Sequence, residues 1–264
     1  MKITALVENI SDGSVRSAHG LSFYIETKKH KILFDVGPDD TLFENATMKH
    51  IDLSKVDTVI ISHGHKDHGG ALKRFLEINK TAKVYLQKSA FERHFVKVLF
   101  LRISVGLDKS LMNDPRIVLV EGDAKIDDEL SLFTAKGKSG FQSKANSNLY
   151  AGKVRDDFRH EQDLLIHENK DVVIMGCGHC GVVRILKSIP DTKPEYCIGG
   201  FHIFDPVSRR TVPKTQLDEL SNGLKEFEDV KFLTCHCTGK KAYRYLKQRH
   251  ANISYFCCGK QLNI

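Results

Sequence analysis

No stretch of the 264-residue chain comes near 18 uninterrupted apolar residues, so no membrane-spanning helix is expected. The opening MKITALVENISDG has neither the apolar run nor the small-residue cleavage site of a secretory leader, and a soluble, cytoplasmic protein is the expectation. Cysteine is missing from the first 176 positions. All seven, Cys177, Cys180, Cys197, Cys235, Cys237, Cys257 and Cys258, follow. An odd number gathered at one end is not a disulfide scaffold, and reduced thiols fit better. There is no Pro/Ser-rich linker, low-complexity tract or composition break, so residues 1–264 read as a single domain. Charge is only mildly unbalanced, 40 Lys+Arg against 33 Asp+Glu, for a net +7. The densest basic clusters are Lys28, Lys29 and Lys31, then Lys240, Lys241, Arg244, Lys247 and Arg249. They are either solvated faces or attractors of an anionic, phosphorylated partner. The large basic arm or added domain that nucleic-acid binding would call for is absent.

What is present is a succession of short apolar runs rich in β-branched and aromatic residues: KITALVE, LSFYIET, HKILFDV, DTVIIS, AKVYLQ, RIVLVE, ELSLFTA, DLLIHE, DVVIMG, YCIGG, VKFLTC and ISYFC. Turn residues separate them, which predicts strands. Helical faces fall between them: Ala71, Leu72, Phe75 and Leu76; Val182, Val183, Leu186 and Ile189; Leu217, Leu220, Leu224 and Phe227; Ala242, Tyr245 and Leu246. The class is α/β. Residues 88–116 break the rhythm and read either as a helix followed by an insertion over one end of the sheet, a position that shapes substrate pockets, or as an ordinary helix and loop.

The apolar run at 57–62 leads into His63, His65, Asp67 and His68. In extended chain His63 and His65 point to the same side and can share one cation, while the following turn presents Asp67 and His68 to a neighbouring one. Gly64, Gly69 and Gly70 let the backbone bend closely there. A plain polar turn rarely gathers three imidazoles and a carboxylate. Further ligands must come from elsewhere, and His179, His202 and His236 each follow an apolar strand beside glycine or cysteine. His30, His94, His160, His167 and His250 have charged or helical neighbours and read as surface or structural histidines.

The HxHxDH pattern with later strand-end histidines resembles the metallo-β-lactamase fold superfamily over nearly the whole chain. A finer resemblance is to the subgroup of dihydropterin-ribofuranosylaminobenzene-phosphate synthase and its bacterial homologues. It is carried in order by HGLSFYIET, ILFDVG, SHGHKDHGGAL, DDFRHEQDLLI, GCGHCGVV, GGFHIF and CHCTG. The resemblance implies an αββα sandwich with one or two divalent ions at one edge, zinc first, with manganese, iron or magnesium as alternatives. His63, His65 and His179 would hold one ion, and Asp67, His68 and His236 the other. Asp35 would orient a ligand histidine, unless it is a simple turn aspartate.

Many members carry an aspartate that bridges the two ions after a late strand, whereas this chain has Gly199 and Gly200 followed by Phe201 and His202. His202 is then expected to touch substrate or donate a proton, and catalysis is assigned to Asp67 and His202. His160 and Glu161 could reach substrate from their loop. Thr238 would cap a helix start at which Lys240 assists phosphate binding. The implied activity is metal-activated hydrolysis, or pterin-synthase-like group transfer with loss of diphosphate, on a phosphorylated small molecule. Phosphodiester or RNA cleavage and a non-catalytic metal-binding module are the alternatives. Cys177, Cys180, Cys235 and Cys237 could instead form a structural zinc site. The expectation is that they pack, because positions flanking an inward-aimed histidine aim elsewhere. Cys257 and Cys258 read as core strand residues.

Overall fold

The computed structural model describes residues 1–137, 141–189 and 192–264. Every one of the twelve apolar runs contains a strand. With Ala124–Lys125 and Gln261–Asn263 these twelve strands make two seven-stranded sheets. The first runs Gln261–Asn263, Lys2–Val7, Ser22–Glu26, Lys31–Phe34, Thr58–Ile60, Lys83–Gln87, Ile117–Val120, and the second Ile253–Tyr255, Lys231–Thr234, Tyr196–Gly199, Asp171–Ile174, Asp163–His167, Leu130–Phe133, Ala124–Lys125.

Side-chain alternation explains the layering. Ile32, Phe34 and Ile60 of the first sheet pack with Leu164, Ile166, Val172 and Ile174 of the second, which forms the core between the sheets. The alternate residues Leu33 and Val59 face Leu42, Leu72 and Phe75 of the helices Thr41–Met48 and Leu72–Ile78. On the far side Leu165 and Val173 face Ile185, Leu217, Leu220 and Leu246 of the helices Val182–Lys187, Lys214–Leu224 and Lys240–Lys247. The result is an αββα sandwich. Strands buried on both faces must be apolar at nearly every position, which is why they read as continuous runs.

Each sheet contains a parallel half. In the first, Lys31–Phe34, Thr58–Ile60, Lys83–Gln87 and Ile117–Val120 run together; in the second, Asp171–Ile174, Tyr196–Gly199, Lys231–Thr234 and Ile253–Tyr255 do. Loops that leave the carboxyl ends of parallel strands meet at one edge, the usual location of an α/β site.

The stretch 88–116 opens on only a four-residue 3-10 helix. A 3-10 turn at Lys88–Phe91 precedes a β-hairpin, His94–Val98 with Leu101–Ser104, which pairs with Leu149–Ala151 in a separate four-stranded sheet. Its pairing partner lies some fifty residues away, so local pattern could not reveal it. Among the described residues no helix is long and apolar enough to cross a membrane.

Candidate metal centre

The chain leaves the Thr58–Ile60 strand through Ile61 and Ser62, and the next six residues carry His63, His65, Asp67 and His68, the last two on the short helix Lys66–Gly69. His179, His202 and His236 follow the carboxyl ends of Asp171–Ile174, Tyr196–Gly199 and Lys231–Thr234. All six histidines are at least 94% buried.

Three ring nitrogens converge at the first position. His63 Nε2 lies 3.0 Å from His65 Nδ1 and 3.3 Å from His179 Nε2. One N–H cannot serve two acceptors. Four nitrogen ligands around a tetrahedral ion at about 2.0–2.1 Å stand roughly 3.3 Å apart, so these spacings fit a shared cation. The tautomers agree. Asn146 donates its Nδ2–H to the His179 carbonyl at 2.9 Å, so its Oδ1 accepts from His179 Nδ1–H, also at 2.9 Å, leaving Nε2 as a lone pair. Ser62 Oγ–H donates to Asp35 at 2.7 Å and so accepts from His63 Nδ1–H at 2.9 Å, again freeing Nε2.

The second position gathers Asp67, His68 and His236. Asp67 Oδ2 is 3.4 Å from His236 Nε2 and 3.8 Å from His68 Nε2. Asn9 repeats the Asn146 pattern, with its Oδ1 accepting from His236 Nδ1–H at 2.8 Å and its Nδ2 donating to the His236 carbonyl at 3.4 Å. Asp35 Oδ2 accepts from His68 Nδ1–H at 2.6 Å. Burial opposes a charge on His68, but Asp35 and Asp67 outweigh it and raise its pKa to about 9. His236 Nε2, His65 Nε2 and both nitrogens of His202 are buried without a hydrogen-bond partner among the described residues. Orphaned buried donors and acceptors are rare, and a cluster of them around imidazole and carboxylate is what a divalent cation and its substrate would satisfy. The donor set therefore fits the implied metal.

A model of the metallo-β-lactamase superfamily matches residues 18–185. The chain belongs to the metallo-β-lactamase superfamily. It is 30% identical to a protein of Methanocaldococcus jannaschii named 7,8-dihydropterin-6-methyl-4-(β-D-ribofuranosyl)-aminobenzene-5'-phosphate synthase, over 92% of this chain and 89% of that one. An uncharacterized protein of the same organism is 27% identical over 99% of this chain and its own full length. Among solved structures, one described as a metal-dependent hydrolase of the β-lactamase superfamily superposes with a TM-score of 0.83 at 26% identity, covering 100% of this chain and 99% of that one.

Within this superfamily fold the centre opens into a cavity of about 400 Å³. His65, Asp67, His179, His202 and His236 stand on its polar side, and Val96, Val105, Leu149, Phe204, Pro206 and Val207 form an apolar wall. The 88–116 hairpin thus contributes Val96, Ser104 and Val105 to the lining. His202 has left-handed φ of 43°, as do Asp35 at 58° and His236 at 48°. Residues other than glycine hold this conformation at a cost, and three of them in one centre mark a site whose geometry is imposed by its surroundings.

Several sequence expectations need correction. His160 does not reach the cavity: its Nδ1 accepts from Gly64 N–H at 2.9 Å, and its Nε2–H donates to Asp156 at 3.1 Å. Glu161 is likewise occupied, with its two oxygens each 2.7 Å from the backbone N–H of His179 and of Cys180. It fixes the loop that carries His179 instead of touching substrate. Thr238 caps no helix. Its Oγ1 accepts from Phe201 N–H at 2.9 Å, and Gly239 is the cap of Lys240–Lys247. Lys240 lines a neighbouring cavity of about 760 Å³ with Lys241, Arg209 and Arg210, and Phe204 and His236 border both cavities. Cys177 and Cys237 face the metal centre, contrary to the packing expectation, whereas Cys180 and Cys235 belong to separate apolar clusters. The four do not form one structural zinc site. Cys257 and Cys258 are buried but lie beyond the strand Ile253–Tyr255.

Sequence reasoning missed the residues that hold the ligands. Glu8 is fully buried and accepts from the N–H of His236 and from the Tyr255 hydroxyl. His19 Nε2 is 3.6 Å from Asp67 Oδ2. His94 takes the structural one of its two expected roles: it is buried and donates from Nδ1 to Asp156 at 2.9 Å.

Asp156 therefore clamps His94 and His160 behind Gly64, between two ligand candidates. Burial works to raise its pKa, but hydrogen bonds from His160 and His94 win and hold it far below the ordinary carboxylate range. A depressed carboxylate stabilises the fold above its unfolded pKa of about 3.9 and loses that contribution as the pH falls below it. Asp156→Ala should lower the unfolding free energy by about 3–5 kcal/mol at neutral pH, measured by urea denaturation, and weaken metal binding about 10–100-fold. Unchanged stability would show that the two imidazoles find other partners.

Proposed function

We propose that this chain is a metal-dependent enzyme acting on a phosphorylated small molecule, by hydrolysis or by group transfer with loss of diphosphate. The observation that carries this reading is the convergence of His63, His65 and His179, and of Asp67, His68 and His236, beside a cavity that His65, Asp67, His179 and His236 line opposite an apolar wall. His63, His65 and His179 would hold one divalent ion, and Asp67, His68 and His236 a second. Such an ion supplies Lewis acidity toward phosphoryl oxygens and can lower the pKa of water to about 7.

The remaining work falls to the protein. Asn9, Asn146, Ser62 and Asp35 fix the ligand tautomers. Val96, Leu149 and Phe204 would cover a ring or alkyl portion of the substrate and exclude water. His202, with no hydrogen-bond partner for either nitrogen among the described residues, would hold or pass a proton at the reacting group. Arg209, Arg210, Lys240 and Lys241 in the adjoining cavity would attract a terminal phosphate. The similarity to a pterin-related synthase and to a metal-dependent hydrolase supports both branches of this reading.

The test is turnover of a generic phosphodiester, a phosphate monoester and an alkyl diphosphate by metal-free protein and by protein loaded with zinc or manganese. Release of phosphate or diphosphate only after loading is expected. Stoichiometric metal binding without turnover of any of the three would favour a non-catalytic metal-binding module.

A further inference from the structure

Of seven cysteines, only Cys177 and Cys237 line the cavity, and both do so beside the second cation position. Cys177 Sγ lies 3.2 Å from His68 Nε2, on the side of the ring opposite the Asp35 contact. The ligand atoms of Cys177, His236 and Cys237 all fall within 4.8 Å of one another. His236 Nε2, in a residue 1% exposed, has no hydrogen-bond partner. A nitrogen and a sulfur on one tetrahedral ion, at about 2.0 and 2.3 Å, stand roughly 3.5 Å apart, so the sulfur–imidazole approach is of coordination length.

The backbone makes room for sulfur. A Cβ at position 200 would come within 2.4 Å of Cys237 Sγ, so any side chain larger than glycine's hydrogen would displace the thiol. The Gly199–Gly200 pair supplies no ligand of its own and leaves that space to Cys237.

We propose that the second cation position is a mixed site in which Cys177 and Cys237 supply sulfur ligands beside Asp67, His68 and His236. The proposal rests on the metal-centre reading above and deepens it. Soft thiolates select zinc, cobalt or iron over magnesium and manganese, so the second position should discriminate against hard ions that the all-nitrogen first position would not reject as strongly.

Cobalt(II) reports both readings separately. Protein reduced, freed of metal and titrated with cobalt should take up two equivalents and develop a near-ultraviolet sulfur-to-cobalt charge-transfer band as the second equivalent binds. Cys177→Ser and Cys237→Ser should each reduce that band by about half. The double variant should lose it, keep the visible bands of the first equivalent, and bind the second at least about 100-fold more weakly, beyond the loss from removing an outer hydrogen bond. Two bound equivalents with no thiolate band in the wild type would overturn the sulfur assignment while leaving the metal centre intact. Failure to bind cobalt at all would overturn the centre itself. Recovery of five free thiols instead of seven from unreduced, denatured protein would join the two sulfurs to each other and also reject the proposal.

Discussion

Replacing His63 with alanine should remove one equivalent of bound metal and take turnover below detection while the fold survives. His63 Nε2 is the common neighbour of His65 Nδ1 and His179 Nε2, so its loss leaves two nitrogens with no third partner to close the coordination shell. A catalytic ion does more than any one acid–base group, whose removal costs about 10²–10⁴-fold, and the deficit should exceed that range. Stability should change little. His63 lies at the edge of the sandwich, outside the three apolar clusters that hold the sheets and helices together. The melting temperature of the metal-free variant should stay within about 4 °C of the metal-free wild type. Metal content by elemental analysis, turnover and a thermal scan decide the matter together. Full metal content and an undiminished rate would mean that the ion sits elsewhere.

His202→Ala should lower the rate by about 100-fold or more and leave metal content unchanged. Its ring centroid is 4.0 Å from that of His179, and its residue is only 5% exposed, yet among the described residues neither nitrogen has a hydrogen-bond partner. Its backbone is held in a left-handed turn, with its carbonyl accepting from Ser143 Oγ–H, so the ring's direction is set by the chain around it. The geometry also brings Cys177, His179 and His202 ligand atoms within 4.8 Å of one another, which makes metal content the decisive control. A variant that loses a metal equivalent would identify His202 as a ligand. A normal rate would leave it a bystander.

The strands and the main site histidines were legible because both depend on local pattern. Doubly buried strands are apolar at nearly every position, and a polar side chain bound for a site enters most readily where such a strand ends, as His63, His179, His202 and His236 do. The cysteines misled for the same reason. Alternation along an extended chain aims neighbours apart, but the chain is no longer extended at these positions: Gly178 has φ 65° and His236 φ 48°, so Cys177 and Cys237 turn toward the cavity their neighbours also face. His160 and Glu161 misled because their polar loop ends on the backbone that supports the site, at Gly64 and His179, instead of in the cavity.

By itself the sequence determined twelve strands of the two large sheets, the αββα layering implied by the resemblance, and the strand ends from which chemistry must emerge, since hydrophobic period and chain exit are properties of neighbouring residues. Only tertiary structure decided which groups fix those histidines. Asn9 meets His236 across 227 positions, Asn146 meets His179 across 33, and Asp156 meets His94 across 62. A hydrogen bond depends on positions to within a few tenths of an ångström. No local pattern encodes such a distance between segments that the fold alone brings together.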